Sequence, residues 1–208
     1  MKRGGPTRLG IILIVLVFAA VIVGAIVWAG QGIFSGKAPT DSLSSAQKLL
    51  EKSNSQTSIK MVVRGPITAQ ENHYSISAQI SASSRNLTVL QGYSGQVVVN
   101  QNFANSSDAF NDMMAVLNRE GFMSSQSTNL TTAGICADGQ VLNFQIFDGS
   151  RKVGDLWSDS CGDSGTFAGS SSVISTILGQ IPNSSDTIAN AKAAIGANDA
   201  EANNPFAL

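Results

Sequence analysis

The pattern of apolar and polar positions changes character once, near residue 30. From Leu9 to Ala29, "LGIILIVLVFAAVIVGAIVWA", 21 residues pass without a charge or a strongly polar side chain. A helix of that length reaches roughly 32 Å at about 1.5 Å per residue, enough for a hydrocarbon core of about 30 Å. A soluble helix this apolar needs protein on every side, and the remaining chain is too short to wrap it. The stretch reads as a transmembrane helix, with Trp28 as an aromatic at its outer boundary. A cleaved secretory signal would carry an apolar region of about 7–15 residues, shorter than this one, so the segment is read as a retained anchor.

Beyond it the pattern is amphipathic. In "TDSLSSAQKLLEKSN" Leu43, Ala46, Leu49 and Leu50 fall on one helical stripe behind Thr40 or Asp41 as cap. Strand-like runs follow at 58–65, 73–82, 86–91 and 95–101, divided by Gly-Pro, Ser-Ser-Arg and Gly-Tyr-Ser-Gly turns. In "NHYSISAQIS" strict alternation sets Tyr74, Ile76, Ala78 and Ile80 on one face. His73, Ser75, Ser77 and Gln79 are then expected on the other, wet face.

"SSDAFNDMMAVLNREGF" is a helix with every terminal signal in place. Ser106 or Ser107 caps it, Asp108 and Asp112 sit early against the dipole, and Phe110, Met113, Met114 and Leu117 line one face. Gly121 stops it, with Phe122 folded back. "VLNFQIF-DG-SRKVGDLW" is a hairpin, and "SSSVISTILGQIP" a helix with Val173, Ile174, Ile177, Leu178 and Ile181 inward. Residues 184–208, poor in large apolar groups, read as a flexible tail. The order implies an α+β fold, a mainly antiparallel sheet packed with two or three helices. The expected organisation is a cytoplasmic N-terminus at 1–8, the transmembrane helix at 9–29 and a tether at 30–39. An extracytoplasmic α+β domain at 40–183 and the tail at 184–208 complete it.

Charge sets the orientation. Lys2, Arg3 and Arg8 precede the apolar stretch and the next basic residue is Lys37, so the N-terminus is expected in the cytoplasm and the domain outside the cell membrane. Three of the 13 basic residues and none of the 14 acidic ones precede the helix. Ten basic against fourteen acidic side chains remain, a formal net of −4, which excludes nucleic acid as a partner.

The two cysteines, Cys136 and Cys161, both lie in the part placed outside, where thiols pair. A two-residue turn at Asp148-Gly149 sets Phe147 against Ser150, so that facing residue numbers sum to 297, as 136 and 161 also do. On that register the cysteines form a non-hydrogen-bonded pair with Cα atoms about 4.5 Å apart, within disulfide reach. Leu142, Phe144, Ile146, Val153 and Trp157 share their face. The bridge is worth on the order of 3 kcal/mol in the chain-entropy account.

Candidate chemistry adds little. Gly162-Asp163-Ser164-Gly165 matches four letters of the nucleophile segment of trypsin-like proteases. Thr166 and Phe167 stand where that loop requires Gly and Pro, and G-x-S-x-G centred on Ser164 would need Gly at 166. His73, the only histidine, is expected on a wet strand face. The four residues read as a turn. Asp155, Asp159 and Asp163 recur every four residues without a calcium-loop pattern. The sequons at Asn86, Asn105, Asn129 and Asn183 are about as many as chance supplies. With no nucleophile, base and orienter in one constellation, no catalytic residue, metal or cofactor is assigned. The expectation is a single-pass, membrane-anchored extracytoplasmic binding or interaction module. Its surroundings are the lipid bilayer, and its partner an envelope protein or a surface polymer. The alternatives are a cell-surface hydrolase using Ser164 and a structural subunit of a membrane complex.

Overall fold

Alternation in the strand runs builds one sheet. The strands are β1 (Thr57–Arg64), β2 (Tyr74–Ser81), β3 (Ser84–Gln91), β4 (Gln96–Ala104), β5 (Val141–Asp148) and β6 (Arg151–Asp159). They pair in the order β4-β3-β2-β1-β5-β6, antiparallel at every joint. The structure is a computed structural model, and it describes residues 40–124, 136–161 and 170–197. The chain divides after Pro39, and every described residue belongs to the unit from Thr40 onward. The apolar stretch 9–29, the tether and Ser164 lie outside the described residues. Among the described residues no helix is long and apolar enough to cross a membrane.

Four helices cover one face of the sheet: α1 (Thr40–Glu51), α2 (Ser107–Arg119), α3 (Ser170–Leu178) and α4 (Ser184–Ala194). Helix α1 packs on β5 and β6, α2 and α3 on β2, and α4 on β3. The alternation chooses the face. Ile59, Met61, Val63, Ile76, Ala78, Ile80, Leu87, Val89, Leu142, Phe144 and Ile146 are all fully buried beneath the helices. Phe122 meets Phe144 edge to face at 6.0 Å in the middle of this layer. The opposite face carries Ser75, Ser77, Gln79, Asn86, Thr88 and Asn100, cross-linked where Asn86 Nδ2 donates to Asn100 Oδ1 at 3.0 Å.

Helix α2 begins and ends where its sequence signals place it. The Ala109 N–H donates to Ser106 Oγ at 3.2 Å. At the other end Gly121 takes φ +74° and donates to Asn118 O, while Phe122 N–H returns to Leu117 O at 3.0 Å. Those two bonds occupy the carbonyls of Leu117 and Asn118 in the last turn of the helix, and the buried Phe122 seals the turn.

Three expectations are corrected. Residues 184–194 are helix α4 and not a flexible tail, which raises the helix count to four among the described residues. Ile188, Ala191 and Ile195 are buried along its inner side and join the hydrophobic core. The hairpin register is also different. The turn is Gly149-Ser150, with Asp148 opposite Arg151, and a bulge between Ile146 and Phe147 shifts the ladder once more. Gly149, at φ +61°, occupies the first turn position, where a type II′ turn favours glycine. The bulge brings Leu156 under the helices opposite Phe144 and sends Trp157 to the far face, opposite Asn143. Finally, His73 is 5% exposed and not on a wet face. The alternation begins only at Tyr74, and His73 belongs to the loop before it.

Candidate functional site

The cysteines are bridged as expected, with sulfurs 2.06 Å and Cα atoms 5.6 Å apart. They are not a ladder pair. The ladder runs to Val141 and Asp159, and Ser160 N–H donates to Gln140 O at 3.0 Å just beyond it. Continued by one residue, the register would put Cys161 opposite Gly139. Cys136 reaches Cys161 because Cys136–Gly139 is a turn, closed by Gly139 N–H on Cys136 O at 3.3 Å. The bridge therefore folds over Gly139, where a Cβ would lie 2.6 Å from Cys136 Sγ and 3.0 Å from Cys161 Sγ. Only glycine fits under it.

This stapled turn adjoins two loops at the same end of the sheet, the β1–β2 loop (residues 65–73) and the β3–β4 turn (residues 92–95). Gly65 N–H donates to Tyr74 O at 3.0 Å and closes the base of the longer loop. Ile67 N–H donates to Ala137 O at 2.7 Å and ties that loop to the stapled turn. Asn72 and His73 both donate to Ala69 O, forming a single helical turn.

Side chains then join the two loops. Gln70 Oε1 accepts from Tyr93 N–H at 3.0 Å, and Gln70 Nε2 donates to Ser94 Oγ at 3.2 Å. Gln91 Nε2 donates to Glu71 O at 2.6 Å, and the Tyr93 hydroxyl to Thr68 O at 2.8 Å. Gly92 N–H reaches His73 O at 2.7 Å, with Gly92 in the left-handed region at φ +70°. Beneath them the His73 ring stacks on Tyr93, centroids 4.0 Å apart and planes 13° from parallel, while Nδ1 lies 3.0 Å from Pro66 O.

The outcome is a rigid tip with an apolar surface. Tyr93 is 54% exposed, Ile67 51% and Val97 58%, with Val98 beside them at the start of β4. These four are the exposed large apolar residues among the described ones, and all lie at this end of the sheet. Glu71 and Asp138, both exposed, give its rim an acidic character. Below the tip the buried Gln140 donates to the Tyr74 hydroxyl at 2.9 Å, and Lys192 Nζ lies 5.2 Å over the Tyr74 ring.

The remaining sequence candidates fall elsewhere. His73, the only imidazole in the chain, holds its Nδ1 on Pro66 and its ring face on Tyr93. Asp155 pairs with Lys152 at the surface. Asp159 accepts from Cys161 N–H at 2.9 Å, and four strand residues, roughly 13 Å, separate it from Asp155. Among the described residues one group brings three potential metal ligands within 4.8 Å: Cys136, Asp159 and Cys161. Both of its sulfurs are consumed by the disulfide, so it holds no thiolate for a metal. A cleft of about 210 Å³ opens between α1 and α2, lined by Leu50, Lys52, Asn111 and Met114 among others. It is smaller than the sites that enclose small molecules, about 300–1,000 Å³.

Sequence reasoning placed Tyr93 only inside a Gly-Tyr-Ser-Gly turn. An aromatic between turn glycines was the available signal, since turn chemistry alone does not call for a large apolar ring. Compared with known proteins, the chain matches no family model and no curated sequence.

Proposed function

We propose that this chain is a single-pass membrane protein, anchored by residues 9–29 with a cytoplasmic N-terminus, whose α+β domain works outside the cell as a binding module. The tip formed by Ile67, Tyr93, Val97 and Val98 is its contact surface. The observation that carries the reading is Tyr93: a half-exposed ring fixed from behind by His73 and at its hydroxyl by Thr68. A ring already held in place loses little freedom on binding, and tyrosines so placed anchor interfaces. The neutral-to-acidic surroundings favour an envelope protein or an uncharged surface polymer over a polyanion.

The test is capture from native membranes and walls with the full-length tagged chain. Wild type is expected to retain a defined partner, and Tyr93→Ala and Ile67→Asp to lose it, with melting temperatures within a few degrees of wild type. The same partners recovered by both variants would remove the tip from the interface. Hydrolytic activity abolished by Ser164→Ala would replace the binding reading altogether.

A further inference from the structure

Strand β4 forms one edge of the sheet, and its sequence, QVVVNQNFA, has no charge and no proline. Edges of this kind invite a further strand. The helices pack over β2, β3, β5 and β6, which leaves Val99 and Phe103 of β4 half-buried at the margin of the core. Between them Gln101 Oε1 is shielded from solvent and has no hydrogen-bond partner among the described residues.

The register states which backbone groups are open. Asn105 N–H donates to Ser83 O at 3.0 Å, and Gln101 O accepts from Asn86 Nδ2 at 3.0 Å, so the odd residues of β4 turn toward β3. By alternation, the N–H and C=O groups of Asn100 and Asn102 point out of the sheet.

We propose that the β4 edge pairs with β4 of a second copy of this chain, antiparallel about a two-fold axis at Gln101. In this register Asn100 exchanges backbone bonds with Asn102 of the other copy. Val99 then faces Phe103 of the other copy on the helix side and gives the apolar margin of each core a matching cover. The two Gln101 side chains meet at a non-hydrogen-bonded pair, where Cα atoms approach to about 4.5 Å. A rotation of the amide about χ3 gives each Oε1 a donor. The joint is isologous and self-complementary, as a closed dimer requires, and no like charges meet across it. The bulge at Val97–Val98 ends the paired segment, so the tip stays outside the joint and the proposal stands or falls independently of the tip's role.

Single-cysteine cross-linking in native membranes, with the full chain, reads the register directly. Gln101→Cys is expected to give a disulfide-linked dimer. Val99→Cys is not, because its two copies stand four strand residues, roughly 13 Å, apart. Asn102→Pro removes an outward N–H and fills the joint with its ring, so the dimer is lost in light scattering or ultracentrifugation. The monomer tolerates the change because that N–H does not serve β3. Gln101→Lys sets two like charges face to face and weakens the dimer severalfold without a backbone change, which separates lost pairing from misfolding. Equal cross-linking at both positions, or a wild-type chain that stays monomeric across concentrations, overturns the proposal. A monomer whose Asn100 and Asn102 amides gain exchange protection only when envelope extract is added identifies a foreign strand as the occupant, and overturns it equally.

Discussion

Strands β6 and β4 close the two edges of the same sheet and are built in opposite ways. Strand β6, RKVGDLWSD, carries Arg151, Lys152, Asp155 and Asp159 in nine residues, lies under α1 and ends at the disulfide. Strand β4 carries no charge and no staple in its nine, among the described residues the helices pack chiefly on the other strands, and a bulge near its start is its departure from a regular edge. Charge, cover and bulges are the means by which sheets avoid edge-to-edge association. Here almost all of them are concentrated at one edge. The difference assigns rigidity to the β5–β6 side and availability to the β3–β4 side.

The staple is the largest single contribution to that rigidity. Replacing Cys136 and Cys161 by alanine, or reducing them, is expected to lower stability on the order of 3 kcal/mol, about 10 °C in melting temperature for a domain of this size. The measurement is a thermal melt with and without reductant, and the alanine variant should show no reductant effect. A melt unchanged by both treatments would mean that β6 owes its order to α1 alone.

Next in size is the seat of α1 on β6. Gly154 is buried where the helix meets the strand, and a Cβ there would lie 2.6 Å from Ile146 Cγ2, 2.7 Å from Met123 Sδ and 3.0 Å from Ala46 Cβ. Gly154→Ala is therefore expected to cost about 1–3 kcal/mol through overpacking. Hydrogen exchange should place the loosened region in β6 and α1 and leave β3 and β4 as they were. Loss of protection spread evenly over the sheet would show that the two sides are not separable.

The contrast between the edges also marks how far the sequence could be read. Strand runs, the caps of α2 at Ser106 and Gly121, and the cysteine pairing were legible because each is local: alternation, a capping hydroxyl, a glycine stop and a compartment rule. The β6 register was not. A bulge two ladder pairs from the turn reverses the faces of Leu156 and Trp157, and its one local mark, Gly154 inside "SRKVGDLW", says neither that a bulge is present nor which way it shifts the ladder. The coincidence of sums that pointed to Cys136 and Cys161 led to the correct pair through an incorrect register, because the three-residue offset is absorbed by the turn over Gly139. Helix α4 was hidden for a different reason. Its inner side joins Ile188, Ala191 and Ile195 to the buried Ser184 and Lys192, so polar residues interrupt the apolar stripe that would have announced it. The tip escaped notice because it is assembled from two loops 25 residues apart in sequence, Thr68 and Tyr93, joined by side chains whose partners only the fold supplies. For Ser164 and the membrane segment the sequence remains the source of the reading.

The smallest effect on stability tests the comparison most directly. Lys152 pairs with Asp155, and Arg151 with Asp148 at 3.1 Å, and these pairs are largely solvent-exposed. Exposed pairs contribute about 0–1 kcal/mol, so Arg151→Gln, Lys152→Gln and Asp155→Asn together should shift the melt by no more than a few degrees. Their expected consequence is in association. Without those three charges β6 keeps only the buried Asp159 and comes close to β4 in composition, but it retains α1 and the disulfide above and beside it. If charge is what closes this edge, the triple variant should form assemblies larger than the β4-paired dimer, visible as a concentration-dependent mass in light scattering. Adding Asn102→Pro should then leave a dimer joined through β6. If the triple variant keeps the wild-type mass, the helix and the staple close the edge without the charges, and the asymmetry of the sheet lies in its packing.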